Sequence, residues 1–177
     1  MAIIIKDPNA PEPMLSVYDI QCCLWHSYSK HIILLNAFIC DKDQEGDFIY
    51  VTFAGYLHEI EIKRSYADFK KDFLKGKHEK IVKGEGMQNT FSYCFGSKDL
   101  AYQCLPEVPK QYGVIYATTM FYPVFIREAK QLHNQTISDW KNFAWRMGES
   151  YKSKVFSNKI NGRPVKDKRS KKNIGEY

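Results

Sequence analysis

Glu45-Gly-Asp47-Phe-Ile-Tyr-Val-Thr-Phe-Ala-Gly55-Tyr-Leu-His-Glu59-Ile-Glu61-Ile-Lys63 is the stretch that decides the fold. Residues 47–53 are rich in β-branched and aromatic side chains, Ala54-Gly55 supplies a tight turn, and residues 56–63 return as a second extended run, so a β-hairpin is expected. Side chains alternate faces along a strand. Glu59, Glu61 and Lys63 therefore share one face, while Ile60 and Ile62 point to the other. Two acids and a lysine backed by two isoleucines make an unusual strand for a purely structural hairpin. Glu61 and Lys63 lie about 6.6 Å apart at about 3.3 Å rise per residue, which leaves room for one phosphate and a metal-bound water. Asp47, opening the paired strand, and Glu61, near the end of its neighbour, can converge on one hard cation such as Mg²⁺, with the Ile62 backbone carbonyl as a further oxygen ligand. Such an ion would lower the pKa of a bound water, and Lys63 would orient that water or stabilise the developing charge. The bland alternative is a same-face ion pair on a solvated strand, worth less than about 1 kcal/mol.

Working outward, residues 7–14 hold Pro8, Pro11 and Pro13 and read as an extended lead-in. Ser16-Val-Tyr-Asp19 is a capping box for a helix to about Lys30, with Ile20, Cys23, Leu24 and Tyr28 facing the core. Residues 32–39 read as a buried strand. After the hairpin, Ser65-Tyr-Ala-Asp68 opens a helix to about Lys75 with Phe69 and Phe73 on one face. Residues 77–89 read as a glycine-broken, mobile loop. Residues 90–95, 113–117 and 123–126 are short strands. Thr136 or Ser138 caps a last helix to about Glu149, with Ile137, Trp140, Ala144 and Met147 inward. Trp25, Trp140 and Trp145 are read as core residues rather than base-stacking platforms. The order of elements predicts an α/β fold, a central mixed β-sheet flanked by helices.

Length suits one domain: the 177 residues divide into the lead-in at 1–14, a folded domain at 15–150 and a tail at 151–177. The net charge of +6 is concentrated in that tail, which carries nine Lys or Arg against two acids and reads as flexible. Its run through Lys168, Arg169, Lys171 and Lys172 suits a nucleic-acid backbone or a solvated terminus equally well. No apolar run approaches the roughly 18 residues of a membrane span, and the first residues do not make a signal peptide. A soluble, intracellular protein with no membrane partner is expected. The five cysteines include no Cys-x-x-Cys, so reduced, buried thiols are expected rather than a disulfide framework or zinc knuckle.

The segment from Glu45 to Phe73, with its Gly-aromatic turn, Glu61-x-Lys63 strand and following Ser65-x-x-Asp68-Phe69 helix, resembles the PD-(D/E)xK nuclease superfamily, and within it the MmcB-like and phage-encoded small nucleases. Lys77-His78, the aromatic strand 89–95, Val108-Pro109 leading into 113–116, and 129–133 before the final helix fit the same plan, so the resemblance covers about residues 15–150. It implies a restriction-endonuclease-like core. It implies a Mg²⁺-dependent DNA endonuclease, with Mn²⁺ able to substitute, acting in phage DNA processing or DNA repair. The cytoplasm of a bacterial cell or a phage-infected host follows from that. Asp47 and Glu61 would be metal ligands and Lys63 the catalytic lysine. Relatives also place an acid on the first helix; here Val17 stands at that position, and Asp19 either substitutes or only caps the helix. Some relatives cut both strands as homodimers. Lys70, Lys71, Lys75, Lys77 and Lys80 would form a phosphate-tracking rim with His78 beside it, or an ordinary solvated face. A catalytically weak nuclease-fold protein that binds DNA or a protein partner is the alternative.

Overall fold

In a computed structural model of the chain, residues 14–38, 45–118 and 122–160 are described, residues 152–160 by their backbone alone. Six strands form one mixed sheet in sequential order, β1 (Ile32–Ala37), β2 (Gly46–Val51), β3 (Leu57–Lys63), β4 (Thr90–Phe95), β5 (Gly113–Ala117) and β6 (Pro123–Arg127). β1, β2 and β3 are antiparallel, β3, β4 and β5 are parallel, and β6 returns antiparallel. The fold is thus the α/β arrangement that the order of elements predicts.

The hairpin forms as its sequence dictates. Phe48 pairs with Ile60 and Val51 with Leu57. Gly55 turns the chain at φ +84°, its N–H donating to the Thr52 carbonyl at 2.9 Å. An added Cβ there would come within 3.2 Å of the Ile137 backbone nitrogen, so glycine is required both for the turn and for the chain packed against it.

Two parallel crossovers follow. α2 (Tyr66–Asp72) and α3 (Lys77–Val82) join β3 to β4, and α4 (Lys98–Cys104) joins β4 to β5. Right-handed crossovers that advance a sheet in one direction place their helices on one face. Phe69, Ile81, Leu100 and Cys104 accordingly pack together against Phe91, Tyr93, Phe95 and Val114. On the other face α1 (Val17–Tyr28) sets Ile20, Cys23 and Leu24 against Phe48, Ile60, Ile62 and Cys94. A smaller cluster at the hairpin end joins Ile49, Val51 and Leu57 to Phe143 of α5 (Trp140–Ile160).

Capping at Ser16 is as expected: its hydroxyl accepts from the Asp19 N–H and the Asp19 carboxylate accepts from the Ser16 N–H, both at 3.1 Å. Several expectations need correction. Residues 77–82, read as loop, form α3, because Ile81 and His78 find buried positions. α4 was not foreseen, although Ser97 caps it through the Leu100 N–H. The last helix is capped by Asp139, whose carboxylate accepts from the Asn142 N–H at 2.9 Å, rather than by Thr136 or Ser138. It runs to Ile160, so the first part of the predicted flexible tail is helical. Its inner face is Phe143 and Met147; Trp140 and Ala144 lie outside the core. Trp25, Trp140 and Trp145 are 49, 41 and 64% exposed and are not core residues. Cys23, Cys94 and Cys104 are buried free thiols. Among the described residues no helix is long and apolar enough to cross a membrane.

Candidate functional site

β3 carries the site. Glu59, Glu61 and Lys63 are each only 2% exposed, on the face covered by α2 and α3. Burying a charge this deeply is costly unless it is paired, and each one is. Lys63 Nζ lies 3.0 Å from Glu61 Oε1 and 3.0 Å from Asp72 Oδ1. Lys77 Nζ bridges Glu61 Oε2 at 2.7 Å and Glu59 Oε1 at 3.2 Å. Lys75, at the rim, reaches Glu61 Oε1 at 3.0 Å and Asp72 Oδ1 at 2.6 Å. Gln88 Nε2 donates to Glu59 Oε2 at 3.0 Å.

Asp72, the last residue of α2, is the hub of this network and is fully buried. Its Oδ2 accepts from the Tyr93 hydroxyl at 2.8 Å and from His78 Nε2 at 2.9 Å. A carboxylate can only accept, so His78 Nε2 carries a proton and donates it, while Nδ1 lies 3.2 Å from the Tyr112 hydroxyl. Burial works against the Asp72 charge, but the His78 hydrogen bond and the charges of Lys77 and Lys63 outweigh it and hold its carboxyl well below the ordinary range. Glu61 follows the same logic: burial opposes its charge, and Lys77 and Lys63 bring its pKa below normal.

Asp47 is the exception. It precedes Phe48 on β2, whose partner is Ile60, so Asp47 comes opposite Glu61 on the same face. Its Oδ2 accepts from the Ile62 N–H at 2.8 Å, yet among the described residues no lysine or arginine stands at ion-pair distance from it. Burial, reinforced by the Glu61 charge, pushes its pKa up to about 6. From α1, Gln21 Nε2 donates to the Asp47 carbonyl and to Asn36 Oδ1, each at 3.0 Å. Asn36 lies within β1 at φ +49°, a conformation asparagine tolerates better than most residues.

Asp47, Glu61 and Lys63 are therefore brought together, as the hairpin reading expects. Asp19 is not with them: it is a half-buried cap, and hydrogen bonds from Ser16 lower its pKa. Val17 is 39% exposed, and the first helix approaches the site through Gln21 instead. Lys77 and His78, expected on a loop within reach of phosphate, are 3 and 9% exposed and engaged with the acids. Lys70 is exposed but paired with Glu107; Lys71 is exposed. Lys168, Arg169, Lys171 and Lys172 lie outside the described residues. Asp72 and Gln21 were missed. Asp72 had a signal, since it lies three residues after Phe69 on the apolar face of α2.

Four carboxylates, Asp47, Glu59, Glu61 and Asp72, meet three ammonium groups here. Asp47 is the acid left short of positive charge, and it neighbours Glu61. Two carboxylates, with the Ile62 carbonyl beside the Asp47-bound N–H, are oxygen donors of the kind Mg²⁺ takes, although lysines already engage both Glu61 oxygens. Among the described residues, no group of three or more His, Cys, Asp or Glu side chains could hold a metal by itself.

The chain is an α/β protein with a buried acid–lysine network on a mixed sheet. No protein-family model and no curated protein matches it. Among solved structures it is similar to a protein of unknown function from Silicibacter pomeroyi, with a TM-score of 0.53 and 12% identity over 81% of this chain and 89% of that one. At that identity the likeness is one of fold.

Proposed function

We propose that the protein is a metal-dependent DNA endonuclease of the PD-(D/E)xK kind, acting in phage DNA processing or DNA repair in the cytoplasm of a bacterial cell or infected host. The observation that carries this reading is the convergence of Asp47, Glu61 and Lys63 on one face, with the Ile62 backbone tied to the Asp47 carboxylate. Asp47 and Glu61 would hold Mg²⁺ or Mn²⁺, which supplies a water of lowered pKa and positive charge at the phosphate. Lys63 is held between Glu61 and Asp72, so its ammonium is oriented before substrate arrives and can stabilise charge that develops in the transition state. Lys75, whose side chain is 40% exposed, is placed to contact an incoming phosphate. A homodimer would bring two such sites to two strands.

The test is cleavage of plasmid and single-stranded DNA with Mg²⁺, Mn²⁺ or EDTA. Lys63→Ala is expected to lower the rate by about 10²–10³, the usual cost of removing a transition-state charge partner. Metal-dependent cutting undiminished in Lys63→Ala and Glu61→Ala would overturn the reading.

A second reading is favoured by one observation: both Glu61 oxygens are already engaged by lysines. On that reading the protein is a weak or silent member of the fold that binds DNA or a protein partner. DNA binding preserved in Glu61→Ala, with no cutting by either protein, would support it.

A further inference from the structure

On the opposite face of the sheet, away from the lysine network, a cavity of about 370 Å³ opens between the end of α1 and the segment after β6. That size lies in the range of small-molecule sites, about 300–1,000 Å³. One wall is a ladder of parallel rings. Tyr28 stacks on Tyr50 at 4.2 Å between centroids, and Tyr50 on its cross-strand partner His58 at 4.4 Å. Phe125, 46% exposed, lines the cavity from β6.

The charges are asymmetric. Of the lining residues only Arg127 and Glu128 are ordinarily ionised. Arg127 is occupied: Nε donates to the Tyr112 carbonyl at 2.9 Å, and Nη2 to the Val108 and Pro109 carbonyls at 3.1 and 2.9 Å. Glu128 makes no ion pair among the described residues, and its charge acts on the hydroxyls of both tyrosines. His58 adds no positive charge at neutral pH, since burial and neighbouring His31 hold it at about 4, and Thr90 Oγ1 fixes its ring at 2.7 Å. The cavity therefore presents aromatic surface, hydroxyl oxygens and one uncommitted carboxylate, with its guanidinium already bound. Anions meet a free carboxylate there, whereas an organic cation meets that charge and the exposed ring of Phe125, the one lining ring that no stacking partner covers among the described residues.

We infer that this cavity is a binding site for a small organic ammonium ion, seated against Tyr28, Tyr50 and Phe125 with its charge toward Glu128.

The test uses the full chain and three isosteric probes, benzylammonium, benzyl alcohol and benzoate, titrated by calorimetry and by protein-observed NMR. Benzylammonium should bind about tenfold or more tighter than benzyl alcohol, and benzoate should not bind, as expected for a partly desolvated cation on aromatic rings beside a carboxylate. The exposed Glu128→Gln variant, checked for an unchanged circular dichroism spectrum, should lose about tenfold of that affinity, and its shifts should vanish from Tyr28, Tyr50 and Phe125 resonances. Equal binding of the three probes, binding of benzoate, binding indifferent to Glu128→Gln, or no binding of any probe would each overturn the assignment. None of these outcomes depends on DNA cleavage.

Discussion

His58, Ile60 and Ile62 alternate with Glu59, Glu61 and Lys63 along one strand, and the two sets face opposite environments. The odd-numbered set is gathered with Asp72, Lys75 and Lys77 into a network where every described lysine has at least two carboxylate partners. The even-numbered set runs from an apolar core beneath α1 to a cavity whose histidine is kept neutral. One strand thus sustains burial in two ways: one face by pairing formal charges, the other by avoiding them. Both ways satisfy the same physical demand, because an unpaired buried charge costs more than either. They differ in fragility. Removing one member of a paired network leaves its partners charged and unmatched, whereas a neutral aromatic face loses only contacts.

The largest expected effect follows from that difference. Asp72→Ala would leave Lys63, Lys75 and His78 without their shared acceptor, and a loss of about 3–5 kcal/mol is expected for breaking a buried pair from one side. Urea unfolding of the variant would measure it. A loss below about 1 kcal/mol would mean that the network is well hydrated and worth no more than a surface ion pair. Replacing Tyr50 by Phe on the other face keeps the ring stacked between Tyr28 and His58 and removes only its hydroxyl. It should cost less than about 1.5 kcal/mol, the upper net value of a hydrogen bond.

Much of this contrast was legible in the sequence. The alternation of Glu59, Glu61 and Lys63 with isoleucines gave the two faces directly, and Asp47 and the turn at Gly55 gave the pairing. Ser16, Ser65 and their partners three residues on marked helix starts. The charged residues from Asp72 to His78 were not legible in the same way. Lys77 looks like any surface lysine until α3 is folded over β3, because its partners Glu59 and Glu61 are distant in sequence and glycines flank its short helix. The tryptophans misled for the opposite reason: helical apolar spacing states which face a residue occupies but not whether anything covers that face. Gln21 is a polar residue beside the apolar stripe of α1, and its role depends on the left-handed backbone at Asn36, which no local pattern announces.

Titration separates the two faces further. Asp47 has a folded pKa of about 6 against 3.8 for an ordinary aspartate. Its raised value favours the folded state fully below 3.8, and that contribution is lost as pH rises through about 6. In metal-free buffer, Asp47→Asn keeps an oxygen to accept the Ile62 N–H while removing the charge. It should match wild type near pH 3.8 and become more stable by about 1–2 kcal/mol above pH 6, allowing for partial hydration of the site. Added Mg²⁺ should narrow that gap, because only wild type offers the carboxylate. A gap that is independent of pH would show that Asp47 is neutralised by something other than protonation.

His58 should give the reverse slope in almost the same window. Its folded pKa, about 4 against 6.5 for a free histidine, means that the unfolded chain binds the extra proton first. Stability linked to His58 is full above pH 6.5 and declines as pH falls toward 4. The ring is partly open to the cavity, so the loss is discounted to about 1 kcal/mol. His58→Gln, which can still bond the Thr90 hydroxyl, should flatten this decline and leave the Asp47 slope unchanged, as expected for sites on opposite faces without shared partners. Thermal unfolding between pH 4 and 7 of wild type, each single variant and the double variant checks both at once. If His58→Gln alters the Asp47 slope, then the two faces are coupled through β3, and the strand is not the insulating layer that its alternating pattern implies.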